Sequence, residues 1–261
     1  MIDFLKESTF AVNDVIQSAR IVLKRYYFSI MGLCVLLFLI PTVSTILSAT
    51  LSGIPYLIKI LFLILIVLSY LGCQLTIIKY IFHALDKEEN EVSFIKATPS
   101  TKEVLDFFLG LFYFMICCVL ILAACFLLGF PIIYLVGPTA VFNIAISFAR
   151  LVIFIASLRI LFFPFFIIDR QVQPLRALRL SLAITRGNFT KLLILLSFFA
   201  VFHALYLYLD EREYLALGFL VLFINSFLIV PLSSVALSVA YRSMMSEYTG
   251  DQDPDVMDNI I

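Results

Sequence analysis

The sequence predicts an all-α protein whose helices cross a lipid bilayer six times. Of its 261 residues, 63% are hydrophobic and only 14% are charged, whereas about a quarter of the residues of a soluble domain are charged. Six separate apolar stretches are each long enough for the roughly 20 residues that a helix needs to cross. The alternating pattern of a barrel strand is absent, and lipid does not tolerate unpaired backbone groups, so we expect helices.

Residues 1–27 precede the first apolar stretch and have an amphipathic pattern. One predicted helical face holds the apolar residues Val12, Ile16, Ala19 and Leu23, and another holds Asn13, Gln17, Arg20 and Lys24. The segment ends in cations followed by aromatic residues, Lys24-Arg25-Tyr26-Tyr27, which is typical of a membrane interface. We expect an interfacial helix here, lying along the bilayer surface.

The membrane domain is predicted over residues 28–245. Its six spans are expected at about 28–51, 57–84, 105–130, 139–166, 190–209 and 215–240. Between spans two and three, the loop Asp86 to Lys102 carries both signs of charge and is interpreted as solvated. Residues 246–261 hold five acidic residues and no Lys or Arg, so we expect a disordered acidic tail.

The distribution of cations predicts the orientation in the membrane. With a cytoplasmic N-terminus, 14 of the 18 Lys and Arg residues fall on the cytoplasmic side, which is a strong positive-inside bias. Tyr residues mark both expected interfaces. We therefore predict that both termini are cytoplasmic, in the inner (cytoplasmic) membrane of a bacterium.

Spans four and five are joined by a basic segment that predicts a second interfacial helix, near 174–186. Pro174 suits the first turn of a helix, and Gly187 suits the left-handed position after its end. Three leucines share one face and three arginines another, namely Leu175, Leu178 and Leu182, and Arg176, Arg179 and Arg186. We expect the leucines to enter lipid and the arginines to lie at phosphate level.

A short similarity relates this second interfacial helix to the N-terminal segment. Residues 19–28, ARIVLKRYYF, resemble residues 181–189, SLAITRGNF. The chain could therefore consist of three units, each with an interfacial segment and two spans. Chance similarity explains the alignment equally well.

The same region carries a resemblance to a known family. The shared residues are Arg159, Pro164-Phe165, Asp169, Pro174-Leu175-Arg176-Ala177-Leu178, Ser181 and Thr185-Arg186-Gly187-Asn188-Phe189. This pattern resembles the membrane domain attached to glycerophosphodiester phosphodiesterases, and related uncharacterised bacterial multi-pass proteins. The resemblance implies a six-span fold. The phosphodiesterase activity belongs to a separate barrel domain and is not implied for this chain.

Polar residues within spans are candidates for function because they are costly to bury in lipid. They are Gln74, Asn143, Arg150, Arg159, His203 and Asn225. Arg150 lies twelve residues after Pro138, or about 18 Å along a helix, which places it near mid-bilayer. It could form an anion or lipid-phosphate site, or it could be a buried arginine that links helices. A different span register would bring it closer to water. We interpret His203 as a packing residue, and Gln74 and Asn225 as helix–helix hydrogen bonders.

No catalytic motif is present, so we expect no enzyme activity, no metal and no cofactor. The zero net charge argues against nucleic acid as a partner. The leading hypothesis is a non-catalytic membrane component that engages anionic lipid headgroups or a partner membrane protein. Its predicted lipid-phosphate or anion ligands are Arg150, Arg159, Arg176, Arg179, Arg186 and Lys191. The alternative is a transporter or permease for an anionic or amphipathic solute, selected by Arg150.

Overall fold

The computed structural model describes residues 9–50, 55–86, 94–130 and 137–246. Within these ranges the chain forms helices and turns, and no strand occurs. Six helical stretches are long and apolar enough to cross a membrane. The all-α, six-span prediction is therefore confirmed. Most of the predicted acidic tail and part of the loop after Asp86 lie outside the described residues.

The helices are numbered in chain order. They are α1 (Val12–Thr50), α2 (Tyr56–Asp86), α3 (Phe94–Ala97), α4 (Thr101–Gly129), α5 (Pro138–Arg159), α6 (Phe163–Arg170), α7 (Pro174–Ile184), α8 (Phe189–Glu211), α9 (Leu215–Ile224) and α10 (Val230–Met245). A π-helical turn, Asn225–Ile229, joins α9 to α10 in the sixth span. Each span packs against the next in chain order, and the sixth packs against the first.

Helix α1 combines the predicted N-terminal segment and the first span. Its backbone leaves the helical region only at Tyr26 (φ −115°, ψ 23°), which is where the sequence places the boundary between the two. Before this kink, Val15, Ala19 and Leu23 are buried in the protein core. The apolar face of this segment therefore packs mainly against the protein, while Arg20 is exposed.

The fourth span, predicted at about 139–166, is one candidate membrane span but is divided into two helices. Helix α5 ends at Arg159, and after a turn α6 begins at Phe163 with Pro164 in its first turn. In the turn between them, the backbone N–H of Phe162 donates to Ser181 Oγ of α7, at 3.0 Å. A side chain from another helix thus holds the chain at the break.

The buried core is concentrated at one end of the bundle. It contains residues from the start of α1, the end of α2, the start of α4, α6, α7, the start of α8 and α10. Helix α6 lies among these elements, since Phe163 contacts Phe107 of α4 (5.3 Å between centroids) and Phe166 contacts Tyr241 of α10 (5.1 Å). We call this end the packed end.

At the opposite end, which we call the open end, the described apolar side chains are largely exposed. Leu61 of α2, Leu127 of α4 and Phe219 of α9 are examples. An apolar surface of this extent is unfavourable in water. It fits a chain whose surroundings at this end are lipid.

Candidate functional site

The basic amphipathic helix α7 lies at the packed end and starts at Pro174, as predicted. Its buried face was not predicted, and it consists of Ala177, Leu180, Ser181 and Ile184. These residues also recur at spacings of three and four, so the sequence contained the signal. Of the three predicted leucines, Leu175 (51% exposed) and Leu182 (39% exposed) turn outward, whereas Leu178 is half-buried and packs against the core.

The end of α7 differs from the prediction. Gly187 does not have a positive φ angle, and the chain continues into α8 through right-handed turns, with the Asn188 N–H donating to the Thr185 carbonyl at 3.3 Å. Asn188 Nδ2 also donates to the Ile184 carbonyl oxygen at 3.0 Å. This bond occupies one of the carbonyls that a left-handed glycine would otherwise help to satisfy, so the left-handed turn is not needed.

Three residues from the resemblance connect α7 to the end of α5. Arg159 donates from its guanidinium to the Leu182 carbonyl at 2.9 Å. In return, Ser181 Oγ and Thr185 Oγ1 donate to the Arg159 carbonyl, at 2.9 and 3.1 Å. Arg159, a predicted anion ligand, therefore has a partner within the protein and helps to hold α7 in position.

The other predicted cations lie around α7 and the start of α8. Arg179 and Arg186 are exposed, and Arg176 and Lys191 are half-buried. Lys191 Nζ donates to the hydroxyl of Thr9, which connects the start of the fifth span to the chain just before α1. The structure thus brings the cations to one end of the bundle and presents two of them outward.

Arg150 lies on the exposed surface of α5, together with Asn143 and Ser147. It forms no hydrogen bond or ion pair with the described part of the chain. The interpretation of a buried, helix-linking arginine therefore does not fit this geometry. The buried residues of α5 include Ala145 and Ala149 instead.

The remaining polar residues of the spans are separate from Arg150. Asn225 is buried at the start of the π-helical turn, and Gln74 is half-buried in α2. His203 is exposed on α8, with its ring 6.3 Å from that of Tyr206. No hydrogen bond among the described residues joins these side chains to one another or to Arg150. The predicted intramembrane residues therefore do not form one site.

An ion-pair cluster at the packed end was not predicted. Asp169 accepts a hydrogen bond from the Tyr241 hydroxyl at 3.0 Å and pairs with Arg242 at 3.1 Å. Arg242 also pairs with Asp86 at 2.7 Å and lies over the ring of Phe82, 4.6 Å from its centroid. The side chain of Asp169 is only 11% exposed. The cluster ties together the ends of α2, α6 and α10.

A second ion pair joins α2 to the start of α4. Lys79 Nζ lies 3.1 Å from Glu103 Oε2, and Glu103 is buried. Glu103 also accepts from the Ser100 N–H at 2.6 Å, while the Glu103 N–H donates to Ser100 Oγ at 3.2 Å. This is a capping box, and the spacing of Ser100 and Glu103 in the sequence is its usual signal. The ion pair between Lys79 and Glu103 joins residues 24 positions apart, so local spacing could not predict it.

The geometry thus provides a basic, partly apolar surface on α7. Among the described residues, no three His, Cys, Asp or Glu side chains converge as metal ligands would. The resemblance to the membrane domain attached to glycerophosphodiester phosphodiesterases stays a prediction. Comparison with protein-family models, with curated proteins and with solved structures gives no match for this chain.

Proposed function

We propose that this multi-pass protein is a non-catalytic membrane component that engages anionic lipid headgroups through α7. One observation carries the proposal: α7 packs one face on the bundle and turns Leu175 and Leu182 outward beside the exposed Arg179 and Arg186. Leucines can enter the acyl region while neighbouring cations remain at the level of the phosphates. A helix held in this way would bind lipid without reorganising.

The proposal includes an orientation. The packed end, which carries the basic segment, would face the cytoplasm of a bacterial inner membrane. The positive-inside bias of the sequence supports this orientation. The cytoplasmic leaflet is rich in anionic lipid, and each cation near its surface contributes about 1 kcal/mol of attraction.

The sequence contains no tryptophan, so a single introduced Trp reports its own lipid neighbours. We would place it in α7 as Leu182→Trp and reconstitute the protein with brominated lipids, which quench Trp fluorescence on contact. Brominated phosphatidylglycerol should quench more strongly than brominated phosphatidylcholine at the same mole fraction. A preference of about fivefold per effective cation is expected.

Two further proteins make this measurement specific. In the Leu182→Trp protein, adding Arg179→Gln and Arg186→Gln should remove the preference for anionic lipid. Leu127→Trp, at the open end of α4, should show lipid contact without any preference. Equal quenching by both lipids at Leu182→Trp, at low salt, would contradict the proposal.

A second function, transport of an anionic or amphipathic solute, is favoured by Arg150. This cation lies within the fourth span, is exposed, and has no ion-pair partner in the described ranges. If it selects a solute, Arg150→Ala should abolish flux into proteoliposomes and leave the melting temperature unchanged. Lipid engagement through α7 alone predicts that this substitution has no transport phenotype. Engagement of a partner membrane protein would instead appear as its co-purification with the wild type.

A further inference from the structure

A row of exposed side chains runs along α5, within the fourth candidate span. It consists of Asn143, Ser147, Arg150 and Phe154, at spacings of four, three and four residues. This spacing keeps the side chains on one face of the helix, and it is the spacing of the seam through which two helices interlock. We call this row the polar seam. The side of α5 that is buried in the bundle is a different one and contains Val141, Ala145 and Ala149.

The polar seam presents groups that have no partner within the described part of the chain. Asn143, Ser147 and Arg150 are exposed, and none of these side chains forms a hydrogen bond or ion pair with a described residue. The exposed side chains beside the seam are apolar, with Phe148 56% and Leu151 55% exposed. Acyl chains can cover these neighbours but cannot pair with an arginine. The cation therefore requires an occupant of another kind.

Arg150 lies too deep for the phosphates of either leaflet. Arg159, nine residues further on, donates to the Leu182 carbonyl of α7 and so marks the level of that helix. With α7 at the lipid surface, as proposed above, Arg150 is about 13.5 Å deeper, close to the middle of a hydrocarbon layer roughly 30 Å thick. The Cα–Cβ bonds of a helix tilt toward its N-terminus, hence away from the nearer phosphates. In that direction the start of α5 at Pro138 is about 18 Å away.

A second copy of this chain does not complement the polar seam either. Every Asp and Glu of the six candidate spans lies within two turns of the start or end of its helix. No carboxylate of a second copy would therefore lie at the depth of Arg150. A two-fold contact through the seam would also bring two arginines together. The complementary partner is a different protein.

We propose that the polar seam docks a transmembrane helix of another membrane protein, and that this helix carries one carboxylate near the middle of its span. The carboxylate would pair with the Arg150 guanidinium, in surroundings of low dielectric constant that strengthen the ion pair. Ser147 is small enough for the two backbones to approach closely, and Asn143 would bond polar groups of the partner. The proposal rests on the membrane level proposed for α7 and adds a protein partner to its lipid contacts.

Energy transfer in vesicles tests the polar seam with a defined helix. The chain contains no tryptophan, so Phe148→Trp, beside the seam, provides a single donor in the full-length protein. The probe is a dansyl-labelled transmembrane peptide of leucine and alanine with one central Glu, and the control peptide has Gln at that position. In dioleoyl-phosphatidylcholine vesicles the Glu peptide should associate about tenfold more tightly than the Gln peptide, as expected for a charge-assisted hydrogen bond.

Further substitutions in the Phe148→Trp protein locate the contact. Arg150→Leu should remove the preference for the Glu peptide, and Arg150→Lys should keep part of it, since lysine retains the charge but not the planar fork. Ser147→Phe should weaken association with the Glu peptide by obstructing the close approach. Ile144→Phe, exposed but outside the seam, is its matched control and should have no effect. Arg186→Gln on α7 should also leave the association unchanged.

Equal association of both peptides with the unsubstituted seam, or a preference that survives Arg150→Leu, would overturn the proposal. Association unaffected by Ser147→Phe would also overturn it, because a site for a dissolved anion needs the charge alone. Transfer that rises when the protein is diluted at a constant ratio of peptide to lipid would assign the seam to a second copy, which contradicts the proposal as well. The measurement uses a neutral lipid, so it can fail while the anionic-lipid preference of Leu182→Trp holds, and the reverse.

Discussion

The hydroxyl of Tyr27 donates a hydrogen bond to the backbone carbonyl of Phe227, 3.0 Å away in the sixth span. Phe227 lies in the π-helical turn, four residues before Pro231. In an α-helix the N–H four residues on would bond this carbonyl, and Pro231 has no N–H to donate. The phenol of Tyr27, one residue past the kink in α1, supplies a donor in its place. A side chain of the first span thus bonds the backbone of the sixth span, four residues before a proline.

Tyr27→Phe should therefore destabilise the protein by about 1–2 kcal/mol, because a partly buried carbonyl loses its donor. The melting temperature in detergent is the measurement. Tyr26→Phe is the matched control and should have little effect, since the Tyr26 ring packs edge-on against Tyr80 and this substitution retains that ring. In a Pro231→Ala background the carbonyl can regain a helical donor, so Tyr27→Phe should cost less there. Equal costs in both backgrounds would contradict this account.

The two carboxylates that share Arg242 should differ in importance. Asp169 is 11% exposed and also accepts from Tyr241, whereas Asp86 is 58% exposed. Asp169→Asn should lower stability by roughly 2 kcal/mol, because it removes the charge that pairs with Arg242 at a position largely shielded from water. Asp86→Asn should cost less than about 1 kcal/mol. Thermal unfolding of both variants measures the difference, and the reverse order would be inconsistent with a buried cluster.

Gly110 of α4 is required by the approach of α6. A Cβ at this position would lie 2.6 Å from Phe163 Cε2, and Phe163 is buried within the aromatic core. Gly110→Ala should lower the melting temperature, since overpacking costs roughly 1–3 kcal/mol and exceeds the gain in helix propensity. Gly72→Ala is the control, because nothing lies within 4 Å of its Cβ position. That variant should be as stable as wild type or more stable.

Ser181 holds the break between α5 and α6. Its hydroxyl accepts from the Phe162 N–H and donates to the Arg159 carbonyl. Ser181→Ala should destabilise by about 1–2 kcal/mol, since the buried N–H loses its acceptor. Ser157→Ala, which removes only a bond to the Ile153 carbonyl within its own helix, should be nearly neutral. Faster hydrogen exchange at the Phe162 amide in Ser181→Ala would locate the effect.

The properties that could be predicted from the sequence are those set locally. The six spans follow from apolar stretches of sufficient length, and the start of α7 follows from Pro174, because a proline fits the first turn of a helix. The kink at Tyr26 also coincides with the predicted change from an amphipathic to an apolar segment. Each of these features depends only on neighbouring residues.

The features that escaped prediction depend on contacts between distant segments. Ser181 of α7 bonds the chain where the fourth span turns after Arg159, and Tyr241 and Arg242 of the last helix contact Asp169, which is only 11% exposed. Gly187 was assigned a left-handed turn from its type alone. In the structure, Asn188 Nδ2 donates to the Ile184 carbonyl, so this carbonyl has a partner without a left-handed glycine.

The concentration of the core at the packed end has a mechanical consequence. Near the open end, the described helices turn many large apolar side chains outward, such as Leu127 of α4 and Phe219 of α9, so the surrounding acyl chains influence the inclination of these helices. When the hydrocarbon layer becomes thinner or thicker, these helices can change tilt at small cost, while the interlocked aromatic residues at the other end keep their positions. The packed end should therefore keep its geometry when bilayer thickness changes, while the helices near the open end adjust their tilt.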